Sequence, residues 1–396
     1  MKTPAYLTSV LLAATLLGTG DGRLDAADRE LTITGFADFN QAPVPIALTG
    51  YSGEVSEALR FDLAVVGFKI VSEADAQYVL KGGTDGRVQG QLTDAITKAV
   101  KLSKAYSGGS VRAQAHALAD DVVQTVTGQK GIARTKIAFR MKKPGNTGVG
   151  EIVVSDYDGF NSKTVTSDNV IVAAPSVLPG RMALFYMTHK FNNADIVFHD
   201  LVSGDRKLVA RYSGSNISPA SSPDGRQVAM ILSKAGSPDV YVANWDGTGL
   251  RQLTQTKEDE SSPTWSPDGK WICFATKRSG RRVLVKVSVD GGKTQGIPTA
   301  GVPNPSEPDW SPDGKWIAFT SQAGGFDVCV IPASGGEARV LAGGEDPSWA
   351  PNSRTLVYVR RTAGGERGLS MLDVPTKQTK DVRGFTGNCS QPSWAR

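Results

Sequence analysis

The sequence predicts a mostly-β protein, a six-bladed β-propeller at the C-terminus preceded by a small α/β domain. Three observations carry this. A proline-headed phrase recurs at near-constant spacing, each copy reads as a hairpin, and residues 28–130 lack the phrase and alternate between helical and strand periodicity.

The phrase is "PDWSPDGKWIAFTS" at 308–321, with near-copies beginning at Pro219, Pro263 and Pro347. With the more diverged units included, the opening prolines are Pro175, Pro219, Pro263, Pro308, Pro347 and Pro392, spaced by 44, 44, 45, 39 and 45 residues. A fixed period of this length marks a repeat array. Each unit runs from a short strand ending in an aromatic or small residue (Trp265, Trp310, Trp349, Trp394) through the turn "SPDG" into an alternating strand such as "KWIAFTS". Proline presets φ for the second turn position, aspartate tolerates the third, and glycine takes the left-handed residue. In "WAPNS" Asn352 and Ser353 stand in place of Asp and Gly, and a left-handed serine costs about 1 kcal/mol.

A second hairpin follows in "DVYVANWDGTGLRQLT" (239–254), "VLVKVSVDGGKTQGI" (283–297) and "DVCVIPASGGEARVL" (327–341). Four strands in such a period make a propeller blade, and the repeated tryptophan fills the gap between neighbouring sheets. The final "SQPSWAR" offers an inner strand alone, while residues 135–165 offer the other strands of a blade with no proline-headed strand before them. Joined, they close a ring of six blades over residues 131–396, with 390–396 as the closing segment, and remove the open sheet edges.

Ahead of the repeats, "PVPIALTGY" (43–51) is a buried-strand run, "GEVSEALRFDLAVVG" (53–67) has helical spacing, and "KIV" and "QYVLKGG" add two strand candidates. "QLTDAITKAVKLSKAYSG" (91–108) fits either period and is read as a hairpin. "VRAQAHALADDVVQTVTG" places Val111, Ala115, Leu118, Val122 and Val126 on one face and stops at Gly128, an amphipathic helix with a glycine cap. Residues 1–27, with Lys2 before an apolar run from Leu7 to Leu17, have the layout of a cleaved secretory signal peptide. No later run reaches the roughly 20 apolar residues of a membrane span, so no membrane insertion of the mature chain is expected.

The formal charge of +5 is dispersed, which argues against nucleic acid as a partner. The densest basic cluster, "KRSGRR" (277–282), reads as a solvated hairpin tip. Cys273, Cys329 and Cys389 lack CxxC spacing, so neither zinc nor a disulfide framework is indicated. No G-x-S-x-G elbow is present. His116 falls near the border of the amphipathic helix, His189 and His199 flank a hairpin tip, and such scattered imidazoles form neither a metal site nor a general base. "SDYDGFN" (155–161) alternates aspartates before a glycine but lacks the distal glutamate of a calcium loop, and a hairpin turn accounts for it. "KGGTDGR" (81–87) lacks the Lys and Ser/Thr of a P-loop. No catalytic residue, metal or cofactor is expected.

Binding is expected instead where loops lead into the inner strands around the central channel. The residues before each proline, Ser218, Ser262, Glu307, Asp346 and Gln391, should form a ring there, with Asp259 and Glu260 adding acidity.

The phrase "VRAQAHALADDVVQTVTGQKGIARTKIAFR" (111–140), then "SDYDGFN" and six "SPDG"-type units, resembles the TolB family of the periplasmic Tol-Pal envelope system. The resemblance covers nearly the whole mature chain. It implies an α/β domain packed on a six-bladed propeller, a periplasmic location, and binding rather than catalysis. It further implies that the propeller face engages the peptidoglycan-associated lipoprotein Pal, with other outer-membrane lipoproteins as further candidates. The mature N-terminus would engage TolA, through Asp28, Arg29, Glu30, Leu31, Thr32 and Ile33 of "DRELTIT", in support of outer-membrane integrity and constriction at division. The chain departs from the family pattern in a short α/β domain, a second unit without "SPDG", and Ser221 in place of an aromatic. The alternative is a periplasmic propeller that binds or hydrolyses a glycan or peptide.

Overall fold

The computed structural model describes residues 39–142, 148–361, 365–385 and 387–396. The expected signal peptide and the TolA segment Asp28–Ile33 lie outside them.

The α/β domain is a five-stranded sheet in the order β2-β1-β3-β4-β5, with β1 at Val44–Thr49, β2 at Phe68–Ile70, β3 at Tyr78–Thr84, β4 at Val88–Asp94 and β5 at Val100–Tyr106. β1 runs parallel to β2 and β3, and β3, β4 and β5 form an antiparallel meander, so 91–108 is the expected hairpin. Helix α1 is Gly53–Ala64 and α2 is Val111–Thr127. Ser110 caps α2 by accepting the Ala113 N–H at 3.1 Å, and Gly128 ends it at φ 72°, the left-handed conformation that glycine adopts without strain.

Six four-stranded sheets follow, and each expected blade is one of them. Their innermost strands are Val172–Val177, Asn216–Ser221, Ser261–Trp265, Pro305–Trp310, Glu345–Trp349 and Asn388–Trp394. The last of these pairs antiparallel with Lys136–Lys142, placing Trp394 opposite Ile137 and Cys389 opposite Met141. Blade one is thus built from both ends of the array, and the closing strand covers the edge of Lys136–Lys142.

The second strand of each blade is buried on both faces, which is why "QVAMIL" reads as a continuous apolar run. Alternate residues serve two neighbours: Val228 and Met230 pack toward blade two, Ala229 and Ile231 toward blade four. Cys273 and Ala275 likewise face blade five while Ile272 and Phe274 face blade three. The propeller core is therefore a set of interblade layers, and the apolar area removed from water holds neighbouring blades together at roughly 25 cal/mol per Å2. All three cysteines are buried and free.

The tight turns repeat at the level of atoms. Ser222, Ser266 and Ser311 donate to the aspartate two residues on at 2.5–2.6 Å and accept the backbone N–H five residues on at 2.9 Å. Blade six has Ala350 in that position, and Asn352 Oδ1 takes over by accepting the Arg354 and Thr355 N–H groups, each at 3.0 Å. Ser353 is left-handed, as expected, at φ 52°. Its hydroxyl accepts the Asp313 N–H of the neighbouring turn at 2.9 Å, which offsets the strain.

Candidate functional site

The six residues preceding the inner-strand prolines, Ala174, Ser218, Ser262, Glu307, Asp346 and Gln391, all have φ between 48° and 55°. A side chain held there costs on the order of 1–3 kcal/mol. Six copies, one of them an alanine with no chemistry to offer, show that the conformation belongs to the fold. Each falls at a register shift between the inner and second strands, a bulge that bends the inner strand around the axis. The side-chain identities are where the blades differ.

All six line one central cavity of about 440 Å3. Its wall continues from these residues to the prolines of the tight turns, Pro179, Pro223, Pro267 and Pro312. This corrects the expected position. Ser218, Ser262, Glu307, Asp346 and Gln391 sit within the inner strands rather than on loops leading into them, and the cavity occupies the tight-turn end of the channel.

Two layers of hydrogen bonds stitch the channel wall. In the deeper layer, the Asp346 N–H donates to Glu307 Oε2 at 3.2 Å and to Thr320 Oγ1 at 3.0 Å. The Gln391 N–H donates to Asp346 Oδ2 at 2.8 Å, and the Ala174 N–H to Gln391 Oε1 at 2.9 Å. These bonds join blades five, six, one and two. Ser218 and Ser262 complete the circle with hydroxyls that make no hydrogen bond among the described residues, leaving a serine-lined side opposite an acidic one.

The second layer lies two residues further along and closes all the way round. Ser176, Thr264, Asp309, Ser348 and Ser393 each accept the N–H of Ser221, Trp310, Trp349, Trp394 and Val177 respectively, at 2.6–3.2 Å. Ala220 has no such acceptor, and there the Trp265 indole donates to its carbonyl at 2.9 Å. Arg396 reaches Asp309 and the carbonyls of Trp310 and Trp349 at the rim.

Burial, reinforced by the neighbouring Glu307, holds the Asp346 carboxyl well above the usual carboxylate range. The ring therefore presents hydrogen-bond donors and acceptors with less net charge than its sequence suggests. Asp259 and Glu260 separate. Asp259 is exposed, 3.7 Å from Lys277. Glu260, expected to add surface acidity, is 3 % exposed, and burial pushes it up to about 7 even though it accepts the Val240 N–H at 3.0 Å and the Thr256 hydroxyl at 3.2 Å, which act to lower it. Neither lines the cavity.

A second polar constellation, which the sequence reading missed, lies where the α/β domain meets blade one. Asp62 of α1 accepts the Tyr157 hydroxyl at 2.6 Å and faces His116 Nδ1 of α2 at 2.7 Å. Asp158 accepts Arg112 Nε at 2.8 Å and lies 3.3 Å from His116 Nε2, with the Arg112 guanidinium stacked 3.3 Å from the Phe160 ring centre. All five polar side chains are buried. Burial works to lower the His116 pKa, but the carboxylates of Asp158 and Asp62 outweigh it and raise it to about 10. Burial opposes ionisation of Asp158 too, and there His116 and Arg112 prevail and lower its pKa.

Two sequence readings change accordingly. His116 lies in this seam rather than on the helix border, and His199 is a buried strand residue paired across from Leu184 rather than a flank of the hairpin tip. "SDYDGFN" is the expected turn, with the Asp156 N–H on the Phe160 carbonyl at 2.9 Å, but it also delivers Tyr157 and Asp158 to the seam. The available signal was the i, i+4 spacing of Arg112 and His116, which puts two cations on one helix face. No histidine or cysteine lines the central cavity.

Sequence comparison matches residues 123–396 to the family described as the TolB beta propeller domain. The chain is 29 % identical to the Tol-Pal system protein TolB of Bordetella parapertussis over 92 % of this chain and 89 % of that protein. It is 31 % identical to the Tol-Pal system protein TolB of Bordetella pertussis over 79 % of this chain and 72 % of that protein. The crystal structure of TolB from Acinetobacter baumannii superposes with a TM-score of 0.79 at 23 % identity, covering 90 % of this chain and 97 % of that one, a likeness of fold.

Proposed function

The chain belongs to the TolB β-propeller family, and from that premise we propose that it is a non-enzymatic, periplasmic binding component of the Tol-Pal envelope system. Its central cavity docks a Pal-like peptidoglycan-associated lipoprotein, and residues 28–34 engage TolA, in support of outer-membrane integrity and constriction at division. The observation that carries the docking role is the asymmetric channel wall, acidic and amide-bearing at Glu307, Asp346 and Gln391 and serine-lined at Ser218 and Ser262. A rigid wall with directional donors and acceptors on a preformed cavity suits a polar loop of a folded partner, since little ordering is needed on the propeller's side. Among the described residues, no helix is long and apolar enough to cross a membrane.

Calorimetry with the purified lipoprotein tests the cavity. Glu307→Gln and Asp346→Asn keep acceptors for the neighbouring N–H groups and are expected to weaken binding at least tenfold without unfolding the protein. Unchanged affinity in both removes the ring from the interface. Deleting residues 28–34 is expected to abolish TolA capture while leaving lipoprotein affinity intact, and surviving capture refutes the tail assignment.

A further inference from the structure

A second cavity, of about 330 Å3, lies at the junction of blades one and six, lined by Arg140, Lys142, Arg361, Arg367, Asn388 and Ser390 among others. It sits at the end of the blades away from the tight turns. Lys142 pairs with Asn388 where the inner strand begins, and Arg361 pairs with Arg367 at the far end of the blade-six hairpin.

The charges here are poorly compensated. Arg361 and Arg367 stand directly opposite on adjacent strands, a like-charge pairing that destabilises a sheet. Among the described residues one carboxylate answers them, Glu345, whose Oε1 is 3.0 Å from Arg367 Nε. Arg140 is aimed by two backbone carbonyls, with Nε donating to Val172 at 2.7 Å and Nη2 to Gly148 at 2.6 Å, contacts that fix the guanidinium without neutralising it. Burial and the nearby charge of Arg367 depress its pKa. The side chains of Lys142 and Arg361 make no ion pair or hydrogen bond among the described residues.

The neutral lining adds donors. Asn388 Oδ1 accepts the Arg367 N–H at 2.8 Å, which leaves its amide nitrogen available. Ser390 is 7 % exposed, and its hydroxyl has no partner among the described residues. A donor-rich, cation-lined cavity near the small end of ligand-pocket sizes calls for an acceptor-rich anion. One carboxylate satisfies one guanidinium fork, whereas a phosphate group presents several oxygens to several cations at once.

We propose that the junction of blades one and six is a binding site for a phosphate-bearing ligand, gripped by Arg140, Lys142, Arg361 and Arg367. Binding there relieves the repulsion between the two strands of the hairpin, so occupancy stabilises the fold as well as the ligand.

The test is titration of the full chain with inorganic pyrophosphate at constant ionic strength, read by calorimetry and by Tm. Wild type is expected to bind and to gain several degrees. Arg361→Gln should weaken binding about fivefold, and Lys142→Ala with Arg361→Ala more than tenfold. The control variant Arg281→Ala with Arg282→Ala removes the same charge from an exposed hairpin and should bind like wild type. Absence of binding to wild type, affinity unchanged in the double variant, or equal weakening in the control overturns the site. A second arm measures co-sedimentation with phosphatidylglycerol vesicles against phosphatidylcholine vesicles. Capture that depends on Lys142 and Arg361 assigns the phosphate to a lipid headgroup, and pyrophosphate binding without capture assigns it to a soluble ligand.

Discussion

The central channel holds its carboxylates half-buried and the seam under the α/β domain holds them buried, and the two regions satisfy them differently. In the channel, Asp346 and Glu307 accept backbone N–H groups from the next blade, a neutral donor in each case, while Asp309 accepts the Trp349 N–H and also meets Arg396 at the rim. In the seam, Asp62 and Asp158 meet His116 and Arg112, two side chains that carry charge. A carboxylate answered by amides tolerates replacement by its own amide, because the acceptor oxygen survives. A carboxylate answered by buried cations does not, because its loss strands a charge in a medium of low dielectric.

Trp394 belongs to both regions, and changing it tests both at once. It pairs opposite Ile137 to close the ring, its indole donates to Thr135 at 2.8 Å, and its ring lies 6.1 Å from that of Tyr157. Trp394→Ala is expected to cost about 3–5 kcal/mol, measured by chemical denaturation, and loss of less than about 1 kcal/mol would mean the closing strand contributes little. Next in size is Asp158→Asn, expected to cost about 3 kcal/mol, against less than about 1 kcal/mol for Asp346→Asn in the channel. Equal costs would erase the distinction between the two regions.

The pH dependence sharpens the same contrast. A group whose folded pKa is raised contributes stability that is fully present below its unfolded value and is lost as pH rises through the folded one. For His116 the loss therefore spans pH 6.5 to about 10, and for Glu260 pH 4.5 to about 7. Denaturation midpoints across pH should show His116→Gln flattening the upper range and Glu260→Gln the lower, each by more than about 1.4 kcal/mol, the worth of one pKa unit. The smallest effect is expected at Ser353→Gly. Relief of the left-handed strain, about 1 kcal/mol, cancels the lost hydrogen bond to Asp313, worth about as much, for a net change near zero. A loss above about 1.5 kcal/mol would show the turn-to-turn bond to be worth more than a typical one.

The contrast also explains what could be read in advance. Blade number, hairpin positions and the closing strand follow from a pattern written six times, so even the diverged copies at Pro175 and Pro392 could be placed by their spacing. The pre-proline ring was found for the same reason, although its position inside the strands was not, because a bulge leaves no mark on apolar periodicity. The seam is written once. Asp62, Arg112, His116 and Asp158 come from three separate elements, and only the packing of α1 and α2 on blade one brings them together. Glu260 was misread in the same way, since a carboxyl's burial depends on the chain folded over it rather than on its neighbours in sequence. At Gly67 the constraint is likewise tertiary: φ is 91°, and a Cβ there would meet the Arg354 guanidinium of blade six at 2.1 Å.

The pairing of Asn388–Trp394 with Lys136–Lys142 sets a timetable for assembly. The Trp394 indole and its Thr135 partner are 259 positions apart in the chain, so the first blade stays a three-stranded fragment until the Asn388–Trp394 segment reaches it. Contacts so distant in sequence form slowly, and during that interval the Ile137 strand offers its unpaired amides to any passing polypeptide. A newly made copy is thus most vulnerable to misassembly until the Trp394 strand docks, and whatever shelters the Ile137 strand in the meantime governs the yield of sound rings.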